Sequence, residues 1–323
     1  MIKSRCGINC TKCRFEECAG CVNINEPFWG RCSVKECCEA KNLSHCGECE
    51  DFPCELLMSF SYDENEGDNG KRISNCRIWK NRDMLHGKKA VIFDMDGTLI
   101  DSVGIWNTVD RLLMNKLGSD EYTENELQKL RDEKLKEYSS YASPYLKYCE
   151  YLGIITNSAM SPEDIHTLRY DIADDYLKNI ICYKPYADEV LRSLKEKNYL
   201  LAIASTTKRA NLEIYTYHNK NIITHAPIDK TFDVVLARED VETIKPDGEV
   251  FVKAAEMLGV SKEECIVIED SLVGLMAAKD ARMDCAVIYD KYSDEDSHIL
   301  RRDSKYYFMD HSEIISVINH GDE

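Results

Sequence analysis

Nothing in the 323-residue chain approaches the ~20 consecutive apolar residues that a membrane-crossing helix requires. Its first residues, Met1-Ile-Lys-Ser-Arg-Cys, lack the apolar core of an export signal. Basic side chains are scarce relative to acids, 41 Lys and Arg against 58 Asp and Glu, for a formal net charge of −17. That surplus of acid argues against a non-specific grip on nucleic acid or on anionic lipid. No internal repeat is present, and 44% apolar with 31% charged residues is an ordinary globular balance rather than that of a disordered or fibrous chain. The expectation is a cytoplasmic protein of about two domains, long enough to bury a real core.

Composition then changes sharply near Gly87. Twelve of the sixteen cysteines fall within the first 76 residues: Cys6, Cys10, Cys13, Cys18, Cys21, Cys32, Cys37, Cys38, Cys46, Cys49, Cys54 and Cys76. Residues 1–86 carry 12 basic and 14 acidic groups, so nearly all of the negative charge lies beyond them. A segment of this size with little apolar periodicity needs a staple, and in a reducing compartment clustered thiols read as metal ligands rather than disulfides. The spacing is Cys6-x3-Cys10-x2-Cys13-x4-Cys18-x2-Cys21, then Cys46-x2-Cys49-x4-Cys54. Two residues between thiolates let both reach one tetrahedral ion, so Zn²⁺ is the leading expectation, with all twelve cysteines as candidate ligands. An iron–sulfur cluster is the rival, since Cys6-x3-Cys10-x2-Cys13 matches a radical-enzyme spacing, although ~85 residues cannot hold the accompanying barrel. His45 reads as a surface histidine rather than a ligand, Ser61–Arg72 as a solvated loop, and the near-neutral charge argues against a nucleic-acid zinc ribbon.

From Lys88 onward the pattern alternates. Ala90–Met95, Leu200–Ala204, Asp233–Ala237, Cys265–Ile268, Ala286–Tyr289 and Tyr306–Phe308 read as short buried strands. Helices are expected at Tyr186–Lys197, Lys208–Tyr217, Gly248–Leu258, Leu272–Ala281 and from Ser312. Residues 103–185 read as almost wholly helical, with start signals at Thr123-x-x-Glu126 and Ser161-Pro162. The predicted fold is therefore α/β: a doubly wound, Rossmann-like parallel sheet formed by 87–102 and 186–323. A helical cap at 103–185 is inserted after its first strand, and a Cys-rich, metal-stapled domain at 1–86 precedes it.

The chemistry is expected at Asp94-Met95-Asp96-Gly97-Thr98, directly after the first strand, where open α/β sheets bind ligands. Two acids one residue apart can divide labour, one attacking phosphorus and the other moving a proton. Two anions facing an anionic ester repel it unless a divalent cation is present, so Mg²⁺ is the expected partner. Later strands end in Ser205-Thr206-Thr207, hydroxyls suited to a phosphoryl oxygen, and in Glu269-Asp270, further carboxylate for the metal. Lys245-Pro246 supplies a fixed cation.

These segments, FDMDGTLIDS at 93–102, LAIASTT at 201–207, KPDGEVF at 245–251 and IEDSLVGLMAAKDARM at 268–283, resemble the haloacid dehalogenase-like hydrolase superfamily over about residues 88–309, nearest its β-phosphoglucomutase-like subgroup. The resemblance implies that Asp94 is a nucleophile forming an aspartyl-phosphate and Asp96 an acid–base residue that also lends its backbone carbonyl to Mg²⁺. It implies that Ser205 and Thr206 bind the phosphoryl group, that Lys245 neutralises Asp94 and that group, and that Glu269 and Asp270 ligate the metal. Two departures stand out: Gly248 replaces a usual proline, and 219–231 is a long connection. Residues 5–82 resemble an uncharacterised Cys-rich family described as zinc-binding.

The cap would close over the loop and recognise the alcohol part of a small phosphorylated metabolite. Lys116, Arg169 and Lys184 are its candidate second-phosphate cations but read as solvated face residues. With no second phosphate cluster evident, hydrolysis is preferred to a phosphoglucomutase-like transfer. The reading from another class makes the Cys-rich domain the functional unit, sensing metal or redox state or docking a protein partner.

Overall fold

Six apolar runs assemble into one sheet in the computed structural model, which describes residues 4–10, 18–25 and 30–320. The strands are β1 (Ala90–Phe93), β2 (Leu200–Ala204), β3 (Val234–Leu236), β4 (Cys265–Glu269), β5 (Asp284–Ile288) and β6 (Tyr306–Phe308). Every pairing is parallel and the order is β3-β2-β1-β4-β5-β6. Helices cover both faces, which is why these strands read as continuous apolar runs rather than alternating ones. Strand β1 stops at Phe93, two residues before the expected end, because the amides of Leu99 and Ile100 both donate to Met95 O, at 2.9 and 3.1 Å. The chain leaves the sheet at Asp94, so the acidic loop starts where the ladder ends.

The Cys-rich segment is more helical than its sequence suggests, with α1 (Ser33–Ala40), α2 (Glu55–Ser61) and α3 (Lys71–Asn81). Its small core gathers Val34, Leu57 and Ile73 with the thiols of Cys6, Cys38, Cys46 and Cys76. Cysteine in core positions hides the helical period, since it reads as chemistry rather than as packing. His45 is not a surface residue: it is buried against Trp79, ring centroids 5.5 Å apart, and its Nδ1 accepts from the Gly47 amide at 3.1 Å. The expected loop before α3 is closed by Asp68, which accepts from the Arg72 amide and Nε at 3.1 and 3.0 Å.

The cap comprises α4 (Val103–Lys116), α5 (Glu124–Glu137), α6 (Pro144–Ile155) and α7 (Pro162–Asp175), and a single π turn at Tyr176–Ile180 leads back to the core. The expected starts are present: Thr123 and Glu126 form a reciprocal capping box, and Ser161 Oγ accepts from Asp164 N at 3.1 Å. Three helices are pinned by one buried carboxylate. Asp110 on α4 accepts from Arg131 of α5 and Arg169 of α7, both at 2.6 Å. Arg169, read above as a solvated face residue, is therefore buried, with its guanidinium also 4.3 Å from the Trp106 ring centroid. Lys116 is exposed as expected.

The core continues with α8 (Ala187–Glu196), α9 (Arg209–Tyr217), α10 (Lys220–His225), α11 (Ile228–Thr231), α12 (Glu249–Leu258), α13 (Leu272–Asp280), α14 (Ser297–Asp303) and α15 (His311–His320). The long connection at 219–231 is thus two short helices. Asn219 starts the first by accepting from Ile222 N, while its amide nitrogen donates to Leu177 O and Ile181 O beneath the cap. Gly248 is explained by close approach: a Cβ there would lie 2.5 Å from Ala281 N.

Helix α3 seats the Cys-rich segment on the sheet edge. Asn81 Nδ2 donates to Tyr307 O of β6 at 2.7 Å, and Arg77 pairs with Glu313 of α15 at 2.6 Å with both side chains buried. Glu313 also accepts from Met309 N, so one carboxylate ties α3 to the turn between β6 and α15. Removing one partner of a buried ion pair strands the other charge. Arg77→Met should therefore lower stability by about 3–5 kcal/mol in urea titration, and Arg77→Met with Glu313→Leu should recover part of that loss.

Candidate active site

Register explains why distant segments meet. Phe93 of β1 lies opposite Ile203 of β2 on one side and Ile268 of β4 on the other. Asp94, Ser205 and Asp270 each follow within two residues of that level, so all three emerge at the carboxyl end of adjacent strands. Lys245, on the segment before α12, reaches the same point. Its Nζ donates to Asp94 Oδ1 at 2.5 Å and to Glu269 Oε1 at 2.7 Å, with all three side chains buried. The other Glu269 oxygen accepts from the amides of Asp270 and Ser271 and from Ser271 Oγ, at 2.9, 3.1 and 3.0 Å. Glu269 is thereby locked in place and in turn fixes the lysine.

The electrostatics follow from burial and sign. Burial would lower Lys245, but the carboxylates of Asp94 and Glu269 outweigh it and hold the ammonium above its ordinary range. Burial pushes Asp94 up to about 7, with Lys245 opposing the rise and Glu269 adding to it. Burial raises Asp270 well above the carboxylate range, and repulsion from Glu269 and Asp94 adds to the effect. Asp96 is raised by burial too, against hydrogen bonds from Ser102 and Thr207.

Asp94, Glu269 and Asp270 can each offer a carboxylate oxygen within 4.8 Å of the others. Three carboxylates and one ammonium, all ionised, leave two uncompensated negative charges, the complement of a divalent ion. Hard oxygen donors suit Mg²⁺. Asp270 Oδ1 accepts from Thr98 Oγ1 at 2.8 Å, whereas the space beside Oδ2 exists because residue 97 is glycine: a Cβ there would sit 2.4 Å from that oxygen. Gly97 also has φ +86°, a conformation that side chains disfavour.

The Asp96 carboxylate stands outside this trio. It turns toward Ser102 Oγ at 2.5 Å and toward Thr207 Oγ1, leaving only its backbone carbonyl for the metal role expected of it. Ser205 is buried as its assigned role requires, and its Oγ accepts from Thr207 N at 3.1 Å. Thr206 is exposed, and its neighbour Thr207 makes the contact with Asp96. Sequence reasoning missed Ser102 and read Thr207 only as a hydroxyl for a phosphoryl oxygen, not as a partner of Asp96. It also misread Lys184, which is no solvated residue: its ammonium bridges the Gly97 carbonyl and the Asp290 carboxylate, bracing the acidic loop. The cap approaches the loop between β2 and α9 through Tyr170 and Tyr145, whose ring centroids lie 5.4 and 6.0 Å from Lys208 Nζ.

In the Cys-rich segment the described cysteines are free thiols. Cys38 and Cys46 Sγ stand 3.5 Å apart, near the ~3.8 Å of two sulfurs on one tetrahedral ion at ~2.3 Å. Arg5 N donates to Cys21 Sγ at 3.3 Å. Among the described residues no three thiols lie within reach of one ion, and Cys13 is outside those residues.

Comparison with known proteins agrees with this arrangement. The profile of the haloacid dehalogenase-like hydrolases matches residues 91–288, more than half of the chain. This chain belongs to the haloacid dehalogenase-like hydrolase family. A second profile, Protein of unknown function (DUF3795), matches residues 14–59 and fits the Cys-rich segment. Hexitol phosphatase B of Escherichia coli K12 is 26% identical over 219 residues, 67% of this chain and 90% of that protein. The bifunctional riboflavin kinase/FMN phosphatase of Arabidopsis thaliana is 28% identical over 191 residues, 59% of this chain but only 46% of that longer protein. A solved structure of a candidate β-phosphoglucomutase from Thermotoga maritima shares the fold, with TM-score 0.57 and 24% identity over 72% of this chain and 98% of that one. The haloacid dehalogenase-like chain is an enzyme whose sequence relatives are named as phosphatases.

With Asp94 and Asp270 raised, the metal-free fold is favoured by protons. Their contribution is full below the unfolded carboxyl pKa and is lost as pH rises, toward about 7 for Asp94 and through the raised pKa of Asp270. Mg²⁺ competes with those protons, so 5 mM Mg²⁺ should raise the melting temperature more at pH 8 than at pH 5. In Asp270→Asn the pH 8 increment should largely vanish; differential scanning fluorimetry reads both.

Proposed function

We propose that the protein is a Mg²⁺-dependent phosphomonoester hydrolase that works on a small phosphorylated metabolite through an aspartyl-phosphate on Asp94. The observation that carries the reading is the meeting of Asp94, Lys245 and Asp270 in one buried site, with Asp96 beside them on hydroxyl partners. The cytoplasm is the proposed compartment, and the proposed division is 1–86, the core of 87–102 with 186–323, and the cap of 103–185.

In the first step Asp94 Oδ2, the oxygen not held by Lys245, attacks phosphorus in line. The bond from phosphorus to the leaving oxygen breaks, and that oxygen takes the proton of Asp96, which burial keeps available. In the second step the Asp96 carboxylate takes a proton from water, the resulting hydroxide attacks phosphorus, and the Asp94–phosphorus bond breaks to release inorganic phosphate and restore both acids. Lys245 and Ser205 hold phosphoryl oxygens throughout, and Ser102 and Thr207 aim Asp96 at the leaving oxygen. Bound at Asp94, Asp270 and Glu269, Mg²⁺ supplies charge neutralisation for the phosphoryl oxygens. Positioning and charge are most of what phosphoryl transfer needs from a protein. The cap brings tyrosines over the loop and closes it to bulk water.

The substrate class rests on relatives whose names specify hexitol and flavin phosphates. In the Cys-rich domain, the 3.5 Å thiol pair of Cys38 and Cys46 supports a thiolate-held metal, for which the Cys-x2-Cys spacing favours Zn²⁺.

With Mg²⁺ and a panel of sugar and polyol phosphates, wild type should release inorganic phosphate. Asp94→Asn should lose at least ~10³-fold in kcat, and Asp96→Asn ~10²–10⁴-fold. Isomerised sugar phosphate in place of free phosphate would indicate the mutase instead. Elemental analysis of the purified chain should find zinc, reduced in Cys38→Ser/Cys46→Ser.

A further inference from the structure

At the seam between the Cys-rich segment and the sheet lies a half-open cleft with a solvent-accessible volume of about 40 Å³. Four of its nine lining residues are cations, Arg77, Lys80, Arg301 and Lys305, and none is acidic. In a chain of net charge −17 that concentration is against the general balance. Two of the four are neutralised nearby, Arg77 by Glu313 at 2.6 Å and Lys305 by Asp284 at 2.8 Å. Lys80 and Arg301 have no carboxylate within ion-pair distance among the described residues. Arg301 instead lies over the ring of Tyr307, 5.1 Å from its centroid.

The lining also contains polar atoms without a partner. Ser304 Oγ and Asn81 Oδ1 are buried and unpaired, and Asn81 as a whole is 0% exposed. Buried polar atoms are rarely left unsatisfied, and each such atom calls for a missing partner. Here one is a hydroxyl able to donate and the other a carbonyl oxygen able only to accept. Both atoms lie without accessible surface under the cleft lining, so an occupant reaches them only as that lining yields; a hydrogen phosphate seated there would satisfy both, its oxygens accepting from Ser304 and its own O–H donating to Asn81. The unpaired ammonium and guanidinium supply the countercharge.

We infer that this cleft is a second anion site, which takes the phosphate group of a small phosphorylated molecule or free phosphate. It is separate from the catalytic cleft. Ser304 and Lys305 precede β6, at the amino end of the parallel sheet, whereas Asp94 follows β1 at the carboxyl end. Because α3 forms one wall and the β6 approach the other, an occupant bridges the Cys-rich segment and the core. The inference does not depend on the catalytic reading, and either can fail alone.

The test uses the full chain with Asp270→Asn and Lys245→Met, so that the catalytic cleft no longer competes for phosphate. Thermal shift and equilibrium dialysis are run with inorganic phosphate, ribose 5-phosphate and ADP at constant ionic strength. We expect saturable binding of inorganic phosphate, weakened at least tenfold by adding Lys80→Glu with Arg301→Glu, and also by the milder Lys80→Ala with Arg301→Ala. Tighter binding of ribose 5-phosphate or ADP, equally sensitive to those changes, would identify a phosphorylated metabolite as the occupant; equal affinity would identify free phosphate. Absence of saturable binding, or binding that survives both double substitutions, overturns the inference. In the otherwise wild-type chain, Lys80→Glu with Arg301→Glu should leave basal turnover without added anion unchanged.

Discussion

The site depends on the ammonium of Lys245, held between Asp94 and Glu269 in a buried pocket. Three carboxylates converge there, and water cannot screen them. Burial and mutual repulsion displace Asp94 and Asp270 upward. One fixed cation holds Asp94 Oδ1 in place while leaving enough negative charge to attract a divalent ion. Glu269 accepts three further hydrogen bonds from the start of the following helix, so the lysine is held against a rigid element.

Much of the remaining architecture serves that arrangement. A parallel sheet brings the ends of β1, β2 and β4 to one level, although β2 and β4 each lie more than a hundred positions beyond β1 in the chain. Lys184, at the return from the cap, clamps the acidic loop through the Gly97 carbonyl and Asp290. The cap is itself organised by polar burial, with two arginines sharing Asp110. Such pairs contribute little net stability but penalise alternative packings, and this one fixes how α7 presents Tyr170 to the core.

What was legible from the sequence follows a physical line. Buried parallel strands announce themselves as short apolar runs, and loops at their ends carry the chemistry, so the sheet, the Asp94 loop, Lys245 and Asp270 could all be anticipated. The contacts of Thr207 and Ser102 with Asp96 were not foreseen because a hydroxyl's partner depends on side-chain direction, which spacing does not encode. Arg169 and Lys184 were read as solvated because charged residues usually are, and nothing local reveals that Asp110 and Asp290 wait inside the fold. The helices of the Cys-rich segment were hidden for the opposite reason: thiols that pack as core residues look like ligands. Its anchoring to α15 through Arg77 and Glu313, 236 positions apart, is not visible in any local pattern.

The central claim is that Asp94 carries the phosphoryl group. Turnover quenched with borohydride reduces an acyl-phosphate to the corresponding alcohol, and peptide mass mapping locates the change. The account predicts homoserine at position 94 in the presence of Mg²⁺ and substrate. Reduction at a different carboxylate under the same conditions would contradict it.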